Sequence, residues 1–435
     1  MSPASPLQTP IIYNLFPRLA GRADQWLPHC QRAAALGFTW LYLNPISEPG
    51  FSGSLYATKD YYRLNPAFVP AGAASDDLAV IGPILRQIRE LGLRPIVDLV
   101  INHTSKDSPL VHEHPDWYVR NAHGAVESPY AVDPDDPSKR TVWGDLAEID
   151  NAGSRDREAL WAYWERLVEA YLELGFEGFR CDAAYKVPAE LWRRLVDVAA
   201  QRNPEAHFFA ETLGCTLEQT RALRASGLHF FFNSSKWWDF EAPWALEQHH
   251  EFESIPSIAF PESHDTPRLA EETGGSEAVQ RQRYAFAATY SAGLMLPIGY
   301  EYGFRRRLDV VQTQPSDWET PLFDLTGFVA RVNRFKSSTP LLHGEGSLRR
   351  IDSRAPDVVV LERRSAAAPG EVGWVTINKA WYEERWLPAG ELGIAGPAVR
   401  LVRLCRDTAP LGGEPVPEYL ALAPAEVVLI LGRAG

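Results

Sequence analysis

Gly178-Phe-Arg-Cys-Asp182 is a short, mostly apolar run closed by an acid, and the chain repeats that design in Phe208-Phe-Ala-Glu211 and in Phe260-Pro-Glu-Ser-His264-Asp265. An acid at the end of such a run is how a carboxylate is placed at the mouth of a buried parallel strand. Working outward, further runs of the same kind lie at Ile11–Phe16, Thr39–Leu43, Arg94–Ile101, Leu228–Asn233 and Gly293–Ile298. With Gly178–Asp182, His207–Glu211 and Ser257–Glu262 they make eight expected strands. Amphipathic stretches separate them. Ser75–Glu90 carries Leu78, Ile81, Leu85 and Ile88 at helical spacing behind a capping Ser-Asp-Asp, and Arg155–Leu174, Ala189–Ala200 and Ser276–Tyr290 read the same way. Eight strands interleaved with helices imply a parallel α/β sheet. In a chain of 435 residues, long enough for a barrel of about 250 residues plus additions, a closed (β/α)8 TIM barrel is the expected architecture. A doubly wound open sheet is the alternative, disfavoured because no Gly-rich phosphate turn follows the first strand.

Two segments break the alternation. Residues 103–154 are rich in Pro, Asp, His and Trp with little regular pattern. A connection of that length in a compact domain is usually functional, so it is read as an excursion rising over the barrel mouth after strand 3. Beyond about Pro340 the pattern becomes alternating strands, at Asp357–Glu362, Val372–Ile377, Val399–Leu404 and Glu426–Leu431, expected to form a C-terminal antiparallel β domain. The expected divisions are 1–102 with 155–339 for the barrel, 103–154 for the excursion and 340–435 for the β domain.

The net charge of −13 speaks against a nucleic-acid partner, which needs clustered Lys and Arg. No run approaches the roughly 20 apolar residues of a membrane span. Met1–Pro10 lacks the basic start and apolar run of a signal peptide. The four cysteines, Cys30, Cys181, Cys215 and Cys405, show no metal-type spacing. A reduced, cytoplasmic protein is expected, with its oligomeric state open. Cys181 should point away from Asp182 across its strand and fill the core.

Two closely held carboxylates can cleave a glycosidic bond with retention, one attacking the sugar and the other donating and then recovering a proton; a third can hold the ring in a distorted, cationic geometry. Asp182 must be ionised to attack. Arg180, two residues earlier, shares its face of the strand and keeps it so. Glu211 must be protonated at rest, and its Phe-Phe-Ala approach supplies the apolar setting that raises a carboxyl pKa.

Four ordered strings now resemble the α-amylase superfamily, glycoside hydrolase family 13, from about Ile11 to Phe335: Asp98-Leu-Val-Ile-Asn102-His103, Gly178-Phe-Arg180-Cys-Asp182, Phe209-Ala-Glu211 and Phe260-Pro-Glu-Ser-His264-Asp265. The resemblance implies Asp182 as nucleophile, Glu211 as acid/base and Asp265 as the acid that favours the distorted ring. It implies substrate contacts from Asp98, His103, Arg180 and His264, and from Tyr56, which precedes Asp60-Tyr-Tyr and would stack on the sugar. Ala57 stands where the family has an Asp. Tyr185-Lys186 stands where many members carry a Lys-His pair that touches the sugar on the leaving-group side; Lys186 near that side is read as a substrate contact, able to meet a phosphate, with a surface residue as the alternative. No metal ligands are assigned; Asn102's counterparts sometimes support the excursion through calcium, and calcium is left undecided. Glu301 in Gly299-Tyr-Glu-Tyr-Gly303 is read as structural, Trp237 or Trp238 as a possible stacking residue, and His114-Pro-Asp-Trp117-Tyr118 as part of a substrate rim.

The leading expectation is a retaining α-glucan hydrolase acting on maltooligosaccharides through a covalent glycosyl-enzyme. The alternative is a transglycosylase or maltosyltransferase using a sugar or maltose 1-phosphate, to which Glu211–Trp238 and Tyr185-Lys186-Val-Pro188 show a partial likeness. A non-catalytic relative is a third class, set against by the presence of all three acids.

Overall fold

The computed structural model describes residues 9–132, 138–237, 240, 242–251, 255–392 and 399–433. Its centre is a closed barrel of eight parallel strands: β1 (Ile11–Leu15), β2 (Trp40–Leu43), β3 (Arg94–Leu99), β4 (Gly178–Cys181), β5 (His207–Glu211), β6 (Phe230–Phe232), β7 (Ser257–Ala259) and β8 (Gly293–Pro297). Each pairs with its neighbours in chain order and β8 closes on β1. The TIM-barrel expectation is met. Apart from β5, the strands are one to three residues shorter than the apolar runs.

Strand periodicity divides the side chains. Trp40, Tyr42, Ile96, Phe209, Phe230, Phe232, Ile258 and Met295 fill the barrel interior as one apolar group. Leu41, Leu43, Val97, Phe179, Phe208, Ala210 and Leu294 point outward and pack beneath the helices. Cys181 is in the outer group, buried and opposite to the Arg180–Asp182 face, as expected. Gly178 begins the inward series on β4. A Cβ there would sit 2.8 Å from Trp40, 2.9 Å from Ile96 and 3.2 Å from Phe209, so the floor of the barrel excludes any larger residue.

The helices follow the amphipathic stretches. Arg157–Leu174, Ala189–Arg202 and Glu277–Tyr290 are α-helical, the last capped by Ser276, whose side chain accepts from Val279 N–H. The Ser75–Glu90 stretch is corrected. Asp77 caps a 3-10 turn, Leu78–Ile81, and the α-helix runs only over Gly82–Glu90, entered through Pro83 at its first turn.

The excursion is tied at its base by His103–Ser105 pairing with Leu146–Glu148, and extends a hairpin in which Tyr130–Val132 pairs with Arg140–Val142. The C-terminal region is an antiparallel sheet of six strands in the order Ser347–Ile351, Val358–Arg364, Glu371–Asn378, Val427–Arg433, Arg400–Arg403 and Glu414–Pro415. One face, with Val359, Leu361, Val375, Ile377 and Leu429, joins the core around the barrel. The other, with Val358, Val360, Val372, Trp374 and Ile430, is covered by a two-stranded ribbon, Arg385–Pro388 with Tyr419–Leu422. Among the described residues no helix is long and apolar enough to cross a membrane.

Candidate active site

The strand register gathers the acids. Asp98, Arg180 and Phe209 are paired across β3, β4 and β5, so the residues two further on, Asp182 and Glu211, reach the mouth at one level. Arg180 stands at the centre. Its Nη1 donates to Asp98 Oδ1 at 3.0 Å and to Asp182 Oδ1 at 2.6 Å, and its Nη2 lies 3.6 Å from Glu211 Oε2. This fixed cation is nine-tenths buried or more.

Glu211 has the opposite environment. Burial pushes its carboxyl up to about 8; Arg180 opposes this, and the charges of Asp182 and Asp265 reinforce it. Its one hydrogen-bond donor is the Ala183 N–H, 2.7 Å from Oε2. Ala183 is held at φ +41°, a left-handed conformation that is rare for a residue with a Cβ. The turn directly after Asp182 is thereby aimed at Glu211. An acid bonded to a guanidinium next to a carboxyl pushed up by burial is an arrangement suited to the two roles that glycoside cleavage requires.

Asp98 is fully buried and saturated: Tyr42 Oη donates at 2.5 Å and Tyr56 Oη at 2.7 Å, in addition to Arg180. Burial pushes it up to about 6, against the pull of Arg180. In this geometry Asp98 positions Arg180 and Tyr56. Tyr56 also pairs through Oη with His264 Nε2 at 2.6 Å, and its ring lies parallel to the imidazole with centroids 5.5 Å apart. His264 Nε2 is 3.2 Å from Asp265 Oδ2. Asp265 is the most open of the acids, its side chain half exposed, and Arg307 donates to its backbone carbonyl at 3.0 Å. His103 directs Nε2 to the Tyr56 carbonyl at 3.0 Å, and burial lowers its pKa.

Glu211, Asp265, Arg180 and His264 line one narrow cleft together with Phe232 and Met295. Asp182 reaches the same place through its ion pair with Arg180. All three sequence-read acids are therefore brought together. Lys186 lies outside this cleft: it is exposed on the 3-10 turn after β4, and its Nζ donates to the Tyr130 carbonyl of the excursion at 2.9 Å. Glu301 is structural, buried against Tyr13 Oη at 2.7 Å and Arg32 at 3.3 Å. The expected rim at His114–Tyr118 is corrected. Trp117 and Tyr118 are buried, Trp117 stacks on His114 at 3.8 Å and donates to Asp156, and neither is available to a substrate. Trp237 is half exposed, and Trp238 lies outside the described residues.

Sequence reading missed Tyr42, Ala183 and Arg307. Tyr42 had a signal, being at the same inward parity of β2 as Trp40; the other two depend on loop geometry. Among the described residues no group of three or more His, Cys, Asp or Glu side chains could hold a metal ion.

Comparisons with known proteins bear on the fold and on the kind of relative. Residues 5–131 match the family model of the glycogen debranching enzyme, glucanotransferase domain. The chain is 28% identical over 373 residues to an α-1,4-glucan:maltose-1-phosphate maltosyltransferase of Burkholderia pseudomallei, covering 83% of this chain and 32% of that protein. A protein of the same name from Myxococcus xanthus is 25% identical over 395 residues, covering 81% and 56%. A solved α-amylase structure from Lactobacillus plantarum superposes with a TM-score of 0.77 at 22% identity, over 98% of this chain and 99% of that one. The chain is similar to these proteins in fold and, to the maltosyltransferases, in sequence. It spans about a third to a half of the length of these two curated relatives. Within the barrel, the Arg180-centred carboxylates occupy the C-terminal ends of the strands, where barrel active sites are built.

Proposed function

We propose that this protein is a retaining α-glucan-active transglycosylase, of the maltosyltransferase kind, with hydrolysis as the outcome when water replaces the sugar acceptor. The observation that carries the retaining chemistry is the pairing of Asp182, bonded to Arg180, with Glu211, pushed up to about 8 by burial. The names of the relatives favour transfer over the hydrolase first expected.

In the proposed sequence, Asp182 attacks the anomeric carbon as the bond to the leaving oxygen breaks, and Glu211 gives that oxygen its proton. The product of this step is a β-glycosyl ester on Asp182. Glu211, now a carboxylate, takes the proton of an acceptor hydroxyl, whose oxygen displaces Asp182 and restores the α linkage. Asp265 and His264 hold sugar hydroxyls across the cleft, and Tyr56 contacts the ring at the cleaved position. The reading keeps the barrel at 1–102 and 155–339, the excursion at 103–154 and the β domain at 340–435. It also keeps a reducing, cytoplasmic setting, which four free cysteines support.

The test runs maltoheptaose and maltose 1-phosphate side by side, with products followed by NMR. Phosphate release with lengthening of maltoheptaose supports transfer from maltose 1-phosphate; redistribution of maltoheptaose alone supports transfer between glucans. Hydrolysis of maltoheptaose without any longer product would return the hydrolase reading, and initial β-anomeric product would end the retaining one.

A further inference from the structure

The excursion hairpin carries two large aromatic side chains that the barrel does not bury. Tyr130 and Trp143 are each 41% exposed, although both belong to a region whose other aromatics, Trp117 and Tyr118, are packed away. The two are brought to one point by Lys186. Its Nζ donates to the Tyr130 carbonyl at 2.9 Å and lies 5.5 Å from the centre of the Trp143 ring. A second cation, Arg140 of the facing strand, lies over the Tyr130 ring at 4.7 Å. Trp143 itself is fixed by backbone bonds on both sides, its N–H donating to Pro129 O at 3.1 Å and its carbonyl accepting from Leu146 N–H at 3.1 Å. The rings are thus held in position while remaining open to solvent.

Their place relative to the acids follows from the turn after β4. Ala183 N–H is bonded to Glu211, and Lys186, three residues on in the same turn, is bonded to the Tyr130 carbonyl. One short turn therefore ties both Glu211 and the excursion rings to the rim. Glu211 is the group that exchanges a proton with the departing or arriving oxygen in the proposed reaction, so the acceptor must lie beside it.

We propose that Trp143 and Tyr130 form an aromatic platform that seats glucose units of an α-linked glucan acceptor, with Lys186 as the strut that holds the platform against the barrel rim. The proposal rests on the transfer reading above and adds the residues that select sugar over water. Flat amphipathic rings suit the apolar faces of pyranose units. The occupant is a neutral glucan, because the hydroxyl-rich edges of such units can bond to the flanking cations while no anionic charge is required. Water is far more concentrated than any sugar acceptor. A chain resting on the platform would place its terminal hydroxyl beside Glu211 at a high effective concentration, which is how transfer outruns hydrolysis.

The experiment uses the full chain with Trp143→Ala, Tyr130→Ala and the conservative Trp143→Phe. With maltosyl fluoride as donor, the acceptor KM for maltoheptaose and the ratio of transfer to hydrolysis are measured. In parallel, maltoheptaose binding is titrated calorimetrically in an Asp182→Ala background, where no turnover occurs. Trp143→Ala should raise the acceptor KM and weaken binding by about tenfold, the order expected of a lost ring contact. It should also shift product toward hydrolysis, while Trp143→Phe recovers most of the loss and Tyr130→Ala shows a smaller one. Turnover with an acceptor KM and product ratio unmoved by Trp143→Ala would overturn the platform and leave the transfer reading standing. If the wild type forms no glycosyl-enzyme from maltosyl fluoride, the transfer reading falls. The titration then decides the platform alone: weaker binding on Trp143→Ala upholds it as a glucan site, and unchanged binding ends it.

Discussion

Glu211 lies at the mouth of the barrel, and Glu345, buried in the stretch that leads into the β domain, lies at the barrel's opposite end; their surroundings differ in kind. Glu345 accepts from Ser257 N–H at 2.9 Å, Ser257 Oγ at 2.5 Å and Ala292 N–H at 3.1 Å, with His249 Nδ1 at 3.2 Å. Burial opposes its ionisation, yet these partners hold its pKa below the usual value. Nearby, Lys336 spends its ammonium on the carbonyls of Ala288, Ser291 and Leu342, and Arg363 on those of Tyr290, Leu341 and Gly344. At the mouth, Glu211 has one N–H donor and a guanidinium 3.6 Å away. Burial wins there and pushes the carboxyl up to about 8. The lower end spends its polar groups on joining barrel to sheet; the mouth leaves one acid short of partners, and that shortage is the proton it has to give.

The largest effect that would break this contrast is at the nucleophile. Asp182→Ala should cost about 10⁴-fold or more in turnover, read as product formation from maltosyl fluoride, and activity close to wild type would remove the assigned role. Glu211→Gln comes next, with a loss of about 10²–10⁴-fold on substrates whose leaving group needs a proton, a smaller loss on the fluoride, and a melting temperature no lower than wild type. Glu345→Ala should do the reverse, keeping the chemistry per folded molecule while destabilising by about 3–5 kcal/mol, since it strands His249 and the Ser257 donors. Equal melting temperatures for the two variants would erase the distinction.

The pH dependence should separate them by sign. Glu211's folded pKa is raised, so its contribution to stability is full below the unfolded value and is lost as pH rises through about 8. Glu345's is depressed, so its contribution is present above the unfolded value and is lost as pH falls through the folded one. Melting curves should therefore lose their alkaline limb in Glu211→Gln and their acid limb in Glu345→Gln. The rate should fall with an alkaline limb near 8 that Glu211→Gln removes. The smallest effect is at the barrel floor, where Gly178→Ala should destabilise by about 1–3 kcal/mol through the contact with Trp40 and Ile96.

What the sequence disclosed follows from how each element is stabilised. The barrel strands are buried on both faces and read as unbroken apolar runs; His207–Glu211 is recovered to the residue. The same continuity hid Tyr42, because in Trp-Leu-Tyr-Leu nothing marks the inward tyrosine as polar in role. The C-terminal strand Ser347–Ile351 shows one buried apolar side chain in five residues, too few for a periodic signal. Arg385–Pro388 ends in a proline and is paired by a partner more than thirty residues away. The acids were legible because their strings are ordered along the chain. Ala183 and Arg307 were not, since a left-handed turn and a loop arginine take their meaning from the fold.

The sheet face bearing Val359, Leu361, Val375, Ile377 and Leu429 is continuous with the apolar mass around the barrel. Trimming the chain before Ser347 would therefore strip the barrel's own helices of their cover. Heating should melt both halves in a single calorimetric transition, and limited proteolysis should find no stable catalytic fragment to release.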